Sequence, residues 1–141
     1  MTNQMMIANT PVNIGEVSIY IYNYTDENGT HNSIDILSDS TNGEMGGVAI
    51  NSLGIGNITT FKQLSGMTFS YNANDESSSE LGESVFWQNA DETLEIEQIS
   101  IAFGALKDEM LQVKIQASCF TYAPHKDIDV TLVALAKIIV R

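Results

Sequence analysis

Basic residues are scarce in this chain: six Lys and Arg stand against 18 Asp and Glu over 141 residues, for a formal net charge of −12 and a pI near 4.2. No Lys or Arg precedes Lys62. The imbalance excludes an ordinary nucleic-acid binder, whose affinity rests on Lys and Arg neutralising phosphates. It also excludes a phosphate loop at Gly43, Gly46 and Gly47 or at Gly54 and Gly56, because such a loop needs its Lys and a following helix. Those positions read as turn or bulge glycines. Cysteine occurs once, at Cys119, so no internal disulfide forms. No apolar run reaches the roughly 18 residues of a transmembrane helix. The amino end lacks a basic leader and a long apolar segment, which argues against a signal peptide. The expected compartment is therefore cytoplasmic, with no membrane partner. Sequons at Asn23, Asn28 and Asn57 would matter only in a secreted protein, and such tripeptides arise by chance in a chain rich in Asn and Thr.

What is present is a core. With 43% hydrophobic residues the chain is expected to be globular, and its length fits one domain spanning 1–141. Apolar residues alternate with a period of two, and Val, Ile, Thr, Tyr and Phe dominate the pattern. Val17, Ile19 and Ile21 fall on one face of a strand, and Tyr20, Tyr22 and Tyr24 on the other. Asn28 and Gly29 mark a hairpin turn, after which residues 33–37 return as a second strand. Residues 39–47 read as loop, 48–50 as a short strand, 59–64 as unassigned and 66–72 as strand. Strands resume at 85–87 and 93–97, and between Ile96 and Ile99 the apolar parity slips. A β-bulge near Gln98, or a corner where the strand changes sheets, explains the slip. Residues 104–110 read as a hairpin loop. Leu111, Val113, Ile115, Ala117 and Cys119 then form the most regular stripe, and 128–140 reads as a strand buried on both faces. About eight strands of this kind predict an all-β fold, a single-domain antiparallel β-sandwich, with a closed β-barrel as the alternative.

Residues able to carry chemistry are few. Cys119 sits on the inward parity of its stripe, where a thiol behaves as a small apolar group, and no neighbouring base or cation activates it. His31 and His125 fall in expected turns. One Cys and two separated His offer no zinc spacing. Loops at Asp26, Glu27 and Asn28, at Asp39 and at Asp75 and Glu76 carry hard oxygens suited to calcium, but none matches a helix-loop-helix calcium loop; at the position needing Gly stands His31. Carboxylate pairs are too numerous to single one out for glycoside hydrolysis. Tyr20, Tyr22 and Tyr24 would stack on a sugar or a partner if exposed, whereas Trp87 beside Val85 and Phe86 reads as core. No enzyme and no cofactor are expected.

Charge distribution is the most informative feature. Residues 1–74 carry −5 and residues 98–141 carry +1, whereas residues 75–97 carry −8 with no base. The acids of that segment are Asp75, Glu76, Glu80, Glu83, Asp91, Glu92, Glu95 and Glu97. They are the candidate partner-binding residues, offering a docking surface that would steer a basic protein; the competing reading is a solvated acidic loop. Residues 75–83, with Ser77, Ser78 and Ser79 at their centre, are expected to be poorly anchored, since Leu81 alone offsets the entropy of ordering them. The reading that follows is a small acidic non-enzymatic binding protein, of inhibitor or immunity type, that occludes a basic partner such as a nuclease. Two alternatives stand beside it: an assembly subunit of a virion or sheath, and a carbohydrate- or calcium-binding sandwich.

Overall fold

Alternation of β-branched and polar residues produces a chain that is almost wholly strand. The computed structural model describes residues 3–39, 45–75, 80–89, 92–122 and 124–139. Among these, the chain passes through β1 (Gln4–Ile7), β2 (Thr10–Val12), β3 (Val17–Asp26), β4 (Gly29–Ser38) and β5 (Gly47–Gly56). A helical turn α1 (Phe61–Leu64) precedes β6 (Thr68–Asn72), β7 (Val85–Asn89), β8 (Glu92–Lys107), β9 (Met110–Tyr122) and β10 (His125–Ile139). The two strands beyond the expected eight are β1 and β2, a hairpin too short for alternation to reveal. The unassigned stretch at 59–64 becomes α1 through a capping box: Thr60 Oγ1 accepts from the Gln63 N–H, and Gln63 Oε1 accepts from the Thr60 N–H.

The sheet order is β2-β1-β10-β3-β4-β5-β7-β8-β6, and β9 pairs with both β8 and β10. The pairings thus close into a circuit through β10, β3, β4, β5, β7, β8 and β9. It is sandwich-like rather than a clean barrel. The β5–β7 link consists of Gly47↔Trp87, Val48↔Phe86 and Ala49↔Val85 alone, and the two long strands each change neighbour partway. One edge of β8 faces β7 at Glu95 and then β6 at Gln98. Likewise, β10 faces β1 from Val130 to Val133 and β3 from Ala136 to Ile139. The β10–β3 ladder is parallel, a departure from the all-antiparallel expectation, and it ties Val17–Tyr20 to Ala136–Ile139.

The parity slip after Ile96 is resolved as a bulge. Ile96 faces Cys119 and Gln98 faces Ser118, leaving Glu97 as the extra residue. Since β8 exchanges β7 for β6 at the same place, bulge and corner are one feature. Side chains on the inward parity form one core that includes Met5, Ile19, Ile36, Leu53, Ile101, Ile115 and Leu132.

Several expectations are corrected. The strand at 128–140 is not buried on both faces: Val130, Leu132, Ala134 and Ala136 are fully buried, but Thr131 and Lys137 are exposed and Val133 and Leu135 half-buried. Here β1, β3 and β9 pair with its edges and leave its outward face open. Phe86, rather than Trp87, is the core aromatic of β7. Trp87 points outward and lies across Gly47, where an added Cβ would run into the indole. The 104–110 loop shrinks to a turn at Asp108 and Glu109, both with positive φ (54° and 63°), because β8 continues to Lys107. His31 and His125 lie in β4 and β10, just beyond their turns.

Candidate functional site

Outward-facing residues of β8, β9 and β10 lie side by side because the three strands pair in register. Glu95 of β8 faces Phe120 of β9, and Phe120 faces Asp127 of β10. One step along, Gln98 faces Ser118, which faces Asp129. The bulge turns Glu97 into a hollow of about 260 Å³ whose lining includes Asp127 and Asp129. Carboxylates from residues 95–97 and 127–129 therefore share one face. Among the described residues nothing donates a hydrogen bond to, or forms an ion pair with, the carboxylates of Glu95, Glu97 or Asp129. Such charges repel one another and favour an opposite charge brought from outside.

An aromatic cluster lies within this acidic face. Phe120 meets the edge of Tyr122 at 5.2 Å between ring centres and stacks on His125 at 5.6 Å. His125 Nε2 lies 3.2 Å from Asp127 Oδ1. Tyr122 is 73% exposed, far more than a buried core aromatic tolerates, so its ring is open to a partner. Tyr20 and Tyr22 stack at 6.3 Å on the outward face of β3, which pairs with the far end of β10, and are half-buried.

The expected acidic residues divide between two places. Asp75, Glu95 and Glu97 belong to the face just described; the Ala73 N–H donates to the Glu97 carbonyl at 2.9 Å, which holds the 73–75 turn against β8. Glu80 and Glu83 lie instead along β5, beyond β7 in the sheet order. Glu76 and Asp91 fall outside the described residues, as do Ser77, Ser78 and Ser79. Glu92 opens β8. Asp127, Asp129, Phe120 and Tyr122 were not among the expected site residues. Their signal was present as alternate positions on β9 and β10, but linking them to Glu95 requires the strand register.

The expectation of a poorly anchored 75–83 segment is corrected for its second half. The Gly54 N–H donates to the Glu80 carbonyl at 2.9 Å, and the Gly82 N–H donates to the Asn51 carbonyl at 2.8 Å. Asn51 Nδ2 donates to the Glu83 carbonyl at 2.7 Å, while Ser84 Oγ accepts from the Asn51 N–H at 2.9 Å. Leu81 packs against the core. Backbone groups of β5 left unpaired where β7 ends thus hold residues 80–84, an arrangement composition alone does not reveal.

Glu80 also lines a second cavity, of about 940 Å³, together with Asp26, Asn28, His31 and Asn57. His31 Nε2 lies 3.2 Å from Asp26 Oδ1. No group of three His, Cys, Asp or Glu side chains among the described residues stands close enough to hold a metal ion. Asn32 follows the inward parity of Ile34 and Ile36; it is 4% exposed, and its Oδ1 has no hydrogen-bond partner among the described residues. Cys119 is 1% exposed, and its thiol is pushed up to about 12, first by desolvation and then by the charge of Asp129. A thiol held neutral in this way is a poor nucleophile.

Three lysines lie toward the other end of the same strands, near Asp108 and Glu109 of the β8–β9 turn, while Lys126 stands beside Asp127 on β10. Lys107 and Lys137 both pair with Met110, and Lys114 pairs with Ala102 and Val133. No helix among the described residues is long and apolar enough to cross a membrane. No family model, curated protein or solved structure matches the chain.

Proposed function

We propose that this chain is a non-enzymatic binding protein that occludes a basic protein partner through the outward face of β8, β9 and β10. One observation carries the reading: strand register gathers Glu95, Glu97, Asp127 and Asp129 around Phe120 and the open ring of Tyr122. Carboxylates around an aromatic centre match a lysine- or arginine-rich surface, since the ring supplies contact area and the charges supply steering.

The test begins with capture from the native host, identification of the captured protein and measurement of its binding kinetics. A triple variant, Glu95→Gln with Asp127→Asn and Asp129→Asn, is compared with a matched control, Glu16→Gln with Glu27→Gln and Asp108→Asn. The first is expected to slow association roughly tenfold at low salt and the control to leave it nearly unchanged, with added salt narrowing the difference. A partner whose association ignores both the triple variant and salt would overturn the assignment to this face.

A further inference from the structure

A second feature of the same sheet adjoins the acidic face, overlaps it at Gln98, Ser118 and Asp129, and has different chemistry over most of its length. The outward residues of β6, β8, β9 and β10 line up in two rows across four strands. Ser70 faces Ser100, which faces Gln116, which faces Thr131. Beside that row, Asn72 faces Gln98, which faces Ser118, which faces Asp129. Seven of these eight side chains are uncharged amides or hydroxyls. Those of Ser70, Gln98, Ser100, Gln116, Ser118 and Thr131 make no hydrogen bond to any described residue.

The rows floor a trough of about 630 Å³, within the range of ordinary small-ligand sites. One wall is the turn at Asn9, held onto β10 by the Ala8 N–H donating to the Asp129 carbonyl at 2.9 Å. The other is the turn at Asp75, held onto β8 through Ala73. At the usual strand spacing the rows are about 14 Å long, and they lie roughly 7 Å apart.

We propose that this trough binds a neutral oligosaccharide. Among the described residues no Lys, Arg or His lines it, so a phosphate, sulfate or carboxylate ligand would meet Asp75 and Asp129 without a counter-charge. A cationic ligand calls for clustered carboxylates, whereas Asp75 and Asp129 stand at different places in the trough, one in a wall and one in the floor, among mostly uncharged groups. Amides and hydroxyls each donate and accept, and they match a ligand whose own groups do both at close spacing. Sugar hydroxyls do this, and Asp129 accepts from a pair of them. Because each contact exchanges one hydrogen bond with water for another, the affinity is modest, with Kd on the order of 1 mM.

The trough shares Asp75 and Asp129 with the docking face proposed above, so the test separates the two through residues that each has to itself. Isotope-labelled protein is titrated with maltotriose, cellotriose and chitotriose and followed by NMR. The expected result is a saturable shift with at least one of the three, at the backbone amides of Ser100, Gln116 and Ser118 and at the side-chain amides of Gln98 and Gln116. Gln98→Ala and Gln116→Ala replace exposed side chains, so the fold is retained, and each is expected to weaken binding about fivefold or more. Binding is expected to persist in high salt and in Glu95→Gln with Asp127→Asn, which disable only the docking face. Absence of a saturable shift with all three sugars would overturn the proposal. So would shifts confined to Tyr20 and Tyr22 or to Tyr122, or binding unchanged by both glutamine variants.

Discussion

Cys119 shows how burial changes the chemistry of a single residue. Its thiol is enclosed on the inward face of β9 and ionises only near 12 against an ordinary 9.0, because the thiolate would lose its hydration and face Asp129. In the unfolded chain the same thiol ionises at its ordinary value. The unfolded state therefore binds fewer protons than the folded state at alkaline pH, and stability falls as pH rises from about 9.0 towards about 12. Through this window the residue contributes a loss of about 1.4 kcal/mol per pH unit. Denaturation midpoints measured from about pH 8 to about pH 11 are expected to fall more steeply for the native protein than for Cys119→Ala. Equal slopes would mean that the thiol is more accessible than its position implies. Alkylating reagents, by the same reasoning, are expected to react slowly with the folded protein and quickly after denaturation.

Among the elements, the 80–84 segment beside β5 is held by a small polar network rather than by strand pairing. Ser84 is 7% exposed; its Oγ accepts from the Asn51 N–H and donates to the Gly82 carbonyl at 3.0 Å. Ser84→Ala leaves the part-buried Asn51 N–H without its partner, which costs about 1 kcal/mol. Hydrogen exchange at Asn51 and Gly82 is expected to accelerate in that variant, while exchange in β9 moves only with global stability. If Asn51 and Gly82 exchange rapidly in the native protein already, the network does not hold the segment. Length also matters at this scale. The two long strands, β8 and β10, connect the layers because each serves two neighbours along one edge, and the Glu97 bulge gives β8 the bend this requires.

For the whole molecule, the closed circuit of strands leaves one thin link. Three residue pairs join β5 to β7, and Phe86, fully buried, lies at the centre of that link between Val48 and Leu94. Phe86→Ala is expected to destabilise the fold by about 3–5 kcal/mol, the range for losing a buried aromatic ring. Denaturation followed by Trp87 fluorescence, which reports on this link, and by far-ultraviolet circular dichroism, which reports on all strands, tests whether the circuit opens as a unit. Coincident transitions are expected in the native protein. In Phe86→Ala the Trp87 signal is expected to move first, since the thin link opens before the β8–β9–β10 ladder.

Local pattern sufficed for much of this architecture. The stripe from Leu111 to Cys119, the Asn28-Gly29 hairpin and the parity slip before Gln98 are visible as alternation because a strand places successive side chains on opposite faces. Strand class and bulge position were therefore determined by the sequence by itself. The short β1–β2 hairpin, the stapling of residues 80–84 and the role of Phe86 in place of Trp87 depend on what lies opposite each residue, which no local period records. The same holds for the site. Residues 75–97 stand out in sequence by charge density, yet the face that forms takes Glu95 and Glu97 from that run and Asp127 and Asp129 from another. Those two runs are brought together by the register of β9 between β8 and β10. Register is set by non-local packing, so only the tertiary structure decided which carboxylates are neighbours.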